Sequence, residues 1–211
     1  MIKFITGMTG SGKTYYTRYI CKKIDKSIPF VVVSLKQEDI NNFDKEVRKI
    51  SKIAITNENY KNISKLKDKI GVNNIGFYMD FISPENQITF IDELSLIIRN
   101  KKNMVLYIDE CHNFIGQSNG TCSKNLISLI SMARERNIHI ILISQRPQDV
   151  HKSALNNCKY KVTFNLSEMN AIKSMSKNME GVTEEEIQNL SQYHFIIQNS
   201  FTKETTKNIK I

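Results

Sequence analysis

The sequence predicts an α/β fold, with a mostly parallel central sheet flanked by helices. Three observations lead there. Short β-branched and apolar runs (Val31-Val32-Val33, Met104 to Ile108, Ile138 to Ile143) alternate along the chain with segments of helical periodicity. A glycine-rich stretch, Gly7-Met8-Thr9-Gly10-Ser11-Gly12-Lys13-Thr14, joins the first strand candidate to the first helix. A later apolar run ends in two adjacent carboxylates, Asp109 and Glu110.

In chain order, Ile2-Lys3-Phe4-Ile5 reads as a short buried strand and Tyr15 to Ile24 as the helix after the glycine loop. Ile28 to Ser34 is a second buried parallel strand. Lys36 to Ile50 carries Ile40, Phe43, Val47 and Ile50 at helical spacing, and Lys52 to Thr56 is a short strand candidate. Asn59 to Ile70 sets Ile63, Leu66 and Ile70 on one helical face, with Gly71 as the stop. Ile75 to Phe81 reads as a strand. Ser83-Pro84-Glu85 then opens a helix to about Arg99: Ser suits the N-cap, Pro the first helical position and Glu the first turn.

After the strand Met104 to Glu110, the polar stretch Asn113 to Ser123 reads as a mobile loop. Lys124 to Arg136 is helical, with Leu126, Leu129, Ile130 and Ala133 inward. Ile138 to Ser144 is a strong central strand, and Pro147 stops it because proline cannot donate to a ladder. Tyr160 to Phe164 is a strand and Ser167 to Lys177 a helix. Thr183 to Glu186 fits a capping box, and His194 to Gln198 and Lys207 to Ile211 are edge strands. With no repeat and no long linker, residues 1–211 read as a single domain.

The totals set bounds on function. The chain carries 30 Lys and Arg against 21 Asp and Glu, a formal charge of +9, which favours a polyanionic partner, nucleic acid first. The excess is mostly lysine spread along the chain, as on a solvated surface. No apolar stretch is long enough to predict a membrane span, and no leader pattern opens the chain, so a cytoplasmic protein is expected. Cys21, Cys111, Cys122 and Cys158 form no Cys-x-x-Cys pair. Cys111, His112 and Cys122 match no zinc spacing, so free, mostly buried thiols are expected.

The chemistry rests on two motifs and a strand end. The glycine stretch fits the phosphate-binding P-loop pattern in its proper strand–loop–helix context. Its glycines let backbone N–H groups wrap phosphates, and the helix that follows points its positive end at the same anion. Lys13 can then reach the β- and γ-phosphates of ATP, and Thr14 can ligate Mg²⁺. Asp109 can hold Mg²⁺ through water and Glu110 can act as general base on the attacking water. Gln145 ends the strong strand, and because parallel strands share a polarity it emerges on the same sheet edge, within reach of the γ-phosphate or the water. Arg134, Arg136 and Arg146 are candidates for an arginine finger, Arg134 first. His112, His139 and His151 form no constellation for nucleophilic catalysis.

Together these residues resemble the additional-strand (RecA-like) class of P-loop ATPases, and within it the FtsK–HerA superfamily. Gly7 to Thr14 and Val105 to Glu110 carry part of the resemblance. Most of it lies in Ala133-Arg134-Glu135-Arg136-Asn137-Ile138 running into Ile143-Ser144-Gln145-Arg146-Pro147-Gln148-Asp149-Val150, with Ala154 to Cys158 after it. Asn137 stands where the family usually has glycine, and asparagine tolerates the left-handed backbone. The resemblance covers about two thirds of the chain and leaves residues from about 36 to 100 unassigned. It implies a DNA-translocating homo-oligomer, expected to be a hexamer, similar to the genome-packaging ATPases of icosahedral double-stranded DNA viruses with internal membranes. Capsid or portal proteins would be partners. It also implies roles: Lys13 and Thr14 on nucleotide and Mg²⁺, Asp109 and Glu110 as the Walker-B pair, Gln145 as sensor, and Arg134 as a finger acting on a neighbouring subunit.

Three alternatives stay open at this point. A filamentous-phage assembly ATPase of the Zot type shares the loop and the Asp-Glu and Gln pattern, but such proteins usually carry a membrane anchor. A small-molecule kinase shares the loop, but the Asp-Glu pair and Gln-ended strand suit water activation and no arginine-rich lid is visible. A nucleotide-dependent switch protein would hydrolyse ATP poorly, which Glu110 argues against.

Overall fold

A computed structural model describes residues 1–80, 82–117 and 122–211. Its strands are β1 (Ile2–Thr6), β2 (Phe30–Ser34), β3 (Ser51–Ala54), β4 (Ile75–Tyr78), β5 (Met104–Ile108), β6 (Ile138–Ser144), β7 (Tyr160–Phe164), β8 (His194–Asn199) and β9 (Thr205–Lys210). Its helices are α1 (Lys13–Lys22), α2 (Gln37–Glu46), α3 (Pro84–Ile98), α4 (Lys124–Met132), α5 (Lys152–Asn157), α6 (Met169–Asn178) and α7 (Glu184–Gln188). All nine strands join one sheet in the order β3-β4-β2-β5-β6-β1-β7-β8-β9. Pairing is parallel from β3 through β7, and β8 and β9 add antiparallel. β6 lies between the strand that feeds the glycine loop and the strand that ends in Asp109, so the additional-strand arrangement is present.

The period-2 alternation of the strands sorts their side chains onto two faces. Phe4, Val31, Val33, Leu106, Ile108, Ile140 and Leu142 belong to a larger core with residues of α3, α4, α5, α6 and α7. Ile5, Phe30, Val32, Val105, Tyr107, Ile141, Ile143 and Val162 form a second core with residues of α1 and α2. Burying each such side chain contributes about 1.5–3 kcal/mol before chain entropy is set against it. Central strands buried on both faces hold the C-terminal strand ends in fixed register, and Asp109, Glu110 and Gln145 sit there beside the glycine loop.

Several elements depart from the sequence expectation. α2 stops at Glu46 rather than near Ile50. Beyond it, Arg48 turns across the α1–β2 connection, donating to the carbonyls of Ile28 at 2.7 Å and Ile24 at 2.9 Å, while Asp44 accepts from the Ile50 N–H at 3.0 Å. The segment Tyr60–Leu66 is a 3₁₀ helix, not an α-helix. Asn59 accepts from the Thr56 N–H at 2.9 Å and donates to Ala54 O at 3.0 Å, local bonds that compete with α-helical pairing. Ser83 precedes α3 with Pro84 in its first turn, but its side chain makes no capping bond. The capping box at Thr183 and Glu186 is present.

The expected loop Asn113 to Ser123 is anchored at both ends. Phe114 and Ile115 are fully buried, Ile115 bridges Cys122, and Gly116 bridges Val150; residues 118–121 lie outside the described residues, as does Phe81. Asn137 is left-handed at φ 52°, as the glycine-replacing turn requires. Cys21, Cys111 and Cys158 are buried free thiols and Cys122 is partly buried. Among the described residues no helix is long and apolar enough to cross a membrane.

Candidate functional site

The loop from Gly7 to Gly12 emerges from the C-terminal end of β1, between β6 and β7. Its glycines are there for two reasons. Gly12 has φ 112° and Gly10 φ 77°, conformations in which L side chains are strained. A Cβ at Gly7 would lie 2.6 Å from Phe164 Cβ and 2.7 Å from Ser11 Oγ, so the loop can pack this tightly only without one. The Met8 N–H donates to Asn165 O at 2.8 Å, tying the loop to the end of β7.

Lys13 and Thr14 open α1, whose N-cap Gly12 offers no side-chain acceptor. Among the described residues no acceptor serves the N–H of Lys13 or Thr14. Ser11 Oγ is buried without a partner. Free donors converging at a helix N-terminus form an anion site, so loop and helix fit a nucleotide's phosphates. The Lys13 ammonium is nearly buried and donates to Met8 O at 2.8 Å. Burial lowers its pKa, and the charges of Glu110 and Asp109 partly oppose that.

Asp109 and Glu110 follow β5 directly. Asp109 is held at the strand end, its N–H donating to Val33 O at 2.9 Å. Desolvation, then Asp39 and Glu110, push its carboxyl up to about 7, against the N–H of Glu110 and the charge of Lys13. Glu110 takes the left-handed conformation at φ 45° and ψ 49°, strained for a residue with a Cβ. The side chain and backbone N–H of Asn113 both donate to Glu110 O at 3.0 Å and hold that turn.

Gln145, just beyond β6, bridges loop and carboxylate. Its amide Nε2 donates to Glu110 Oε1 at 2.6 Å, and its Oε1 accepts from Thr9 Oγ1 at 2.8 Å. The elements β1, β5 and β6 therefore meet through Thr9, Gln145 and Glu110. Lys13, Thr14, Asp109, Glu110 and Gln145 line one cleft of about 180 Å³, together with Ser34, Lys36 and Asp39. A carboxylate, an amide and an ammonium around a phosphate cradle can bind a polyphosphate and polarise a water. Among the described residues no group of three or more His, Cys, Asp or Glu could hold a metal alone. Thr14 and Asp109 with phosphate oxygens fit Mg²⁺, which keeps several waters and takes one or two carboxylates plus phosphates.

The sequence reading missed several members. Asp39 accepts from Ser34 Oγ at 2.8 Å and lines the cleft; Ser34 ends a buried strand on the same edge as Asp109, which was a readable signal. His112 Nδ1 lies 3.0 Å from Ser144 Oγ and 3.4 Å from Glu110 Oε2, and burial lowers its pKa. Its position two residues beyond Glu110 did not reveal this, because a 3₁₀ turn brings it back.

Arg134 is not in this cleft. It follows α4 at the other end of the sheet, its guanidinium 5.4 Å from the Phe201 ring centre and beside Met1 and Lys159. β1 alone, five residues at roughly 3.3 Å each, separates that end from the loop. Arg146 is exposed and pairs loosely with Asp149 at 4.0 Å.

A family model described as "ATPase family associated with various cellular activities (AAA)" matches residues 4–167. No curated protein sequence matches significantly. Among solved structures, the genome packaging NTPase B204 from Sulfolobus turreted icosahedral virus 2 in complex with AMP is similar. It has a TM-score of 0.74 and 18% identity, covering 100% of this chain and 97% of that one. VirB4 of Thermoanaerobacter pseudethanolicus gives a TM-score of 0.73 at 11% identity, covering 99% and 88%. The cytoplasmic domain of the Type VII secretion ATPase EccC of Thermomonospora curvata gives 0.60 at 11% identity, covering 99% of this chain and 23% of that chain.

Proposed function

The chain belongs to the ATPase family associated with various cellular activities and is an ATP-hydrolysing enzyme; from that premise we propose that it is an oligomeric motor moving double-stranded DNA, in the packaging of a viral genome into a capsid. The observation that carries the hydrolytic part is the bridge Thr9–Gln145–Glu110, which ties the phosphate loop to the candidate base across the inserted strand. The packaging part is supported by near-complete mutual coverage with a genome packaging NTPase, and by the +9 charge.

In this reading Gly7, Met8, Thr9, Gly10, Ser11 and Gly12 wrap the phosphates, and Lys13 leaves Met8 O for the β- and γ-oxygens. Thr14 and Asp109 would hold Mg²⁺, which when bound would supply charge neutralisation of the phosphates. Glu110 orients and deprotonates the attacking water. Gln145 changes partner when a γ-phosphate arrives, which makes it the sensor. Arg134 sits at the far end of the sheet from its own cleft, so it serves a neighbour's site in a ring, a hexamer by resemblance. DNA contacts are to phosphates and sequence-independent. The whole chain acts as one ATPase domain in the cytoplasm of an infected host.

The direct test is release of a third strand annealed at the far end of a long duplex fragment. ATP-dependent release, absent with a non-hydrolysable analogue, is the expected result. Steady ATP turnover with no release at any ionic strength would contradict translocation.

A further inference from the structure

The loop has two flanks, and they differ in chemistry. Lys13, Asp109, Glu110, Gln145 and Thr9 share the cleft on the β5–β6 flank. A polyphosphate whose terminal group is held there must leave the loop on the opposite flank, along α1 and toward β7 and β8, because the loop N–H groups cradle the α- and β-phosphates. Two aromatic rings stand on that flank. Tyr15 directly follows Thr14 in the first turn of α1 and is 60% exposed. Tyr193 precedes β8 and is 43% exposed. Their ring centres are 6.5 Å apart at an interplanar angle of 71°, an edge-on pair rather than a stacked one.

Tyr193 is also fastened to the loop. Its N–H donates to Ser11 O at 3.0 Å, and the neighbouring Gln192 side chain donates to Gly10 O at 3.1 Å. Its own carbonyl accepts from the Ile211 N–H at 3.1 Å. A Cβ at Gly12 would meet the Tyr193 ring at 3.0 Å, so glycine is what lets the tyrosine sit against the loop. The residue is left-handed at φ 63°, a strained conformation held by these bonds. Exposed, strained and pinned to the phosphate loop, this ring does nothing for the core.

We propose that Tyr15 and Tyr193 form the platform for the nucleoside base of the bound nucleotide, and that the enzyme accepts other purine triphosphates beside ATP. The second half follows from the first: stacking uses the π-face every base has, and hydrogen bonds, not stacking, tell bases apart. The platform rests on the phosphate-loop reading above, and the test separates the two.

Binding of ATP, GTP and inorganic tripolyphosphate is measured by calorimetry for the wild type, Tyr15→Ala and Tyr193→Asn. Asparagine keeps the left-handed backbone while removing the ring. Lys13→Ala is the control for the loop. The expected result is a loss of about tenfold in ATP and GTP affinity for each tyrosine variant, within the range of one stacked base, with tripolyphosphate unchanged. Tyr15→Phe and Tyr193→Phe should restore nucleotide affinity. In the wild type, ATP and GTP should bind within about tenfold of each other. ATP affinity unchanged in both variants, or ATP and tripolyphosphate weakened together, would overturn the platform. So would a change in subunit assembly with the ATP-to-tripolyphosphate ratio intact, which would make the tyrosines an interface. Wild type binding neither ligand, or Lys13→Ala binding both normally, would instead sink the phosphate-loop reading and take the platform with it.

Discussion

Replacing Asp109 with Asn should make the nucleotide-free protein more stable, and the gain should depend on pH. Burial and the carboxylates of Asp39 and Glu110 raise the Asp109 pKa from an ordinary 3.8 to about 7. A carboxyl raised on folding favours the folded state only while protonated. That contribution is complete below the unfolded value and is lost as pH rises through the folded one, so between about pH 4 and 7 the wild type gives up about 4 kcal/mol. Asparagine has no charge to bury, and its Oδ1 can still accept from the Glu110 N–H, a bond of 3.0 Å in the wild type. At pH 7.5 with a chelator present, urea or thermal unfolding should find Asp109→Asn more stable by about 4 kcal/mol at most, on the order of 10 °C in melting temperature. At pH 5 the gain should fall by more than half. Mg²⁺ with ATP should narrow the gap by stabilising the wild type, which keeps the Asp109 carboxylate, more than the variant. A variant no more stable than wild type at pH 7.5, or a gain equal at both pH values, would refute the buried-charge reasoning.

Other expectations concern catalysis. Lys13→Ala should abolish detectable ATP binding in a filter or fluorescence assay. Glu110→Gln should keep ATP affinity within a few fold and lose about 10²- to 10⁴-fold in turnover, the usual scale of general-base loss; near-normal turnover would remove Glu110 from that role. Arg134→Ala should lose turnover as a pure population, and its sites should regain it when mixed with Lys13→Ala subunits that supply the missing arginine. Absence of complementation would place the finger elsewhere, with Arg146 next.

The parts of the site legible in the sequence were those built from contiguous residues or from strand polarity. Gly7 to Thr14 and Asp109-Glu110 are continuous motifs, and Gln145 follows from parallel strands sharing an edge. Asn137 could be read because its left-handed backbone is a local property. The remaining members depend on long-range packing. His112 reaches Ser144 only after a 3₁₀ turn, Asp39 reaches the cleft through Ser34, and Tyr193 meets the loop from 182 positions beyond Ser11 through one backbone bond. In the region left unassigned by resemblance, α3, β3 and β4 were legible from local pattern, but the end of α2 and the 3₁₀ segment were not, because Arg48 and Asn59 impose local bonds that helical periodicity cannot reveal.

The central claim is that ATP hydrolysis is coupled to duplex DNA. Steady-state ATP turnover with and without long duplex DNA, at two salt concentrations and with Glu110→Gln as the blank, tests it most directly. The account predicts turnover stimulated by DNA, with the stimulation weakening as salt rises because the contacts are to phosphates. Turnover indifferent to DNA at both salt concentrations would contradict it.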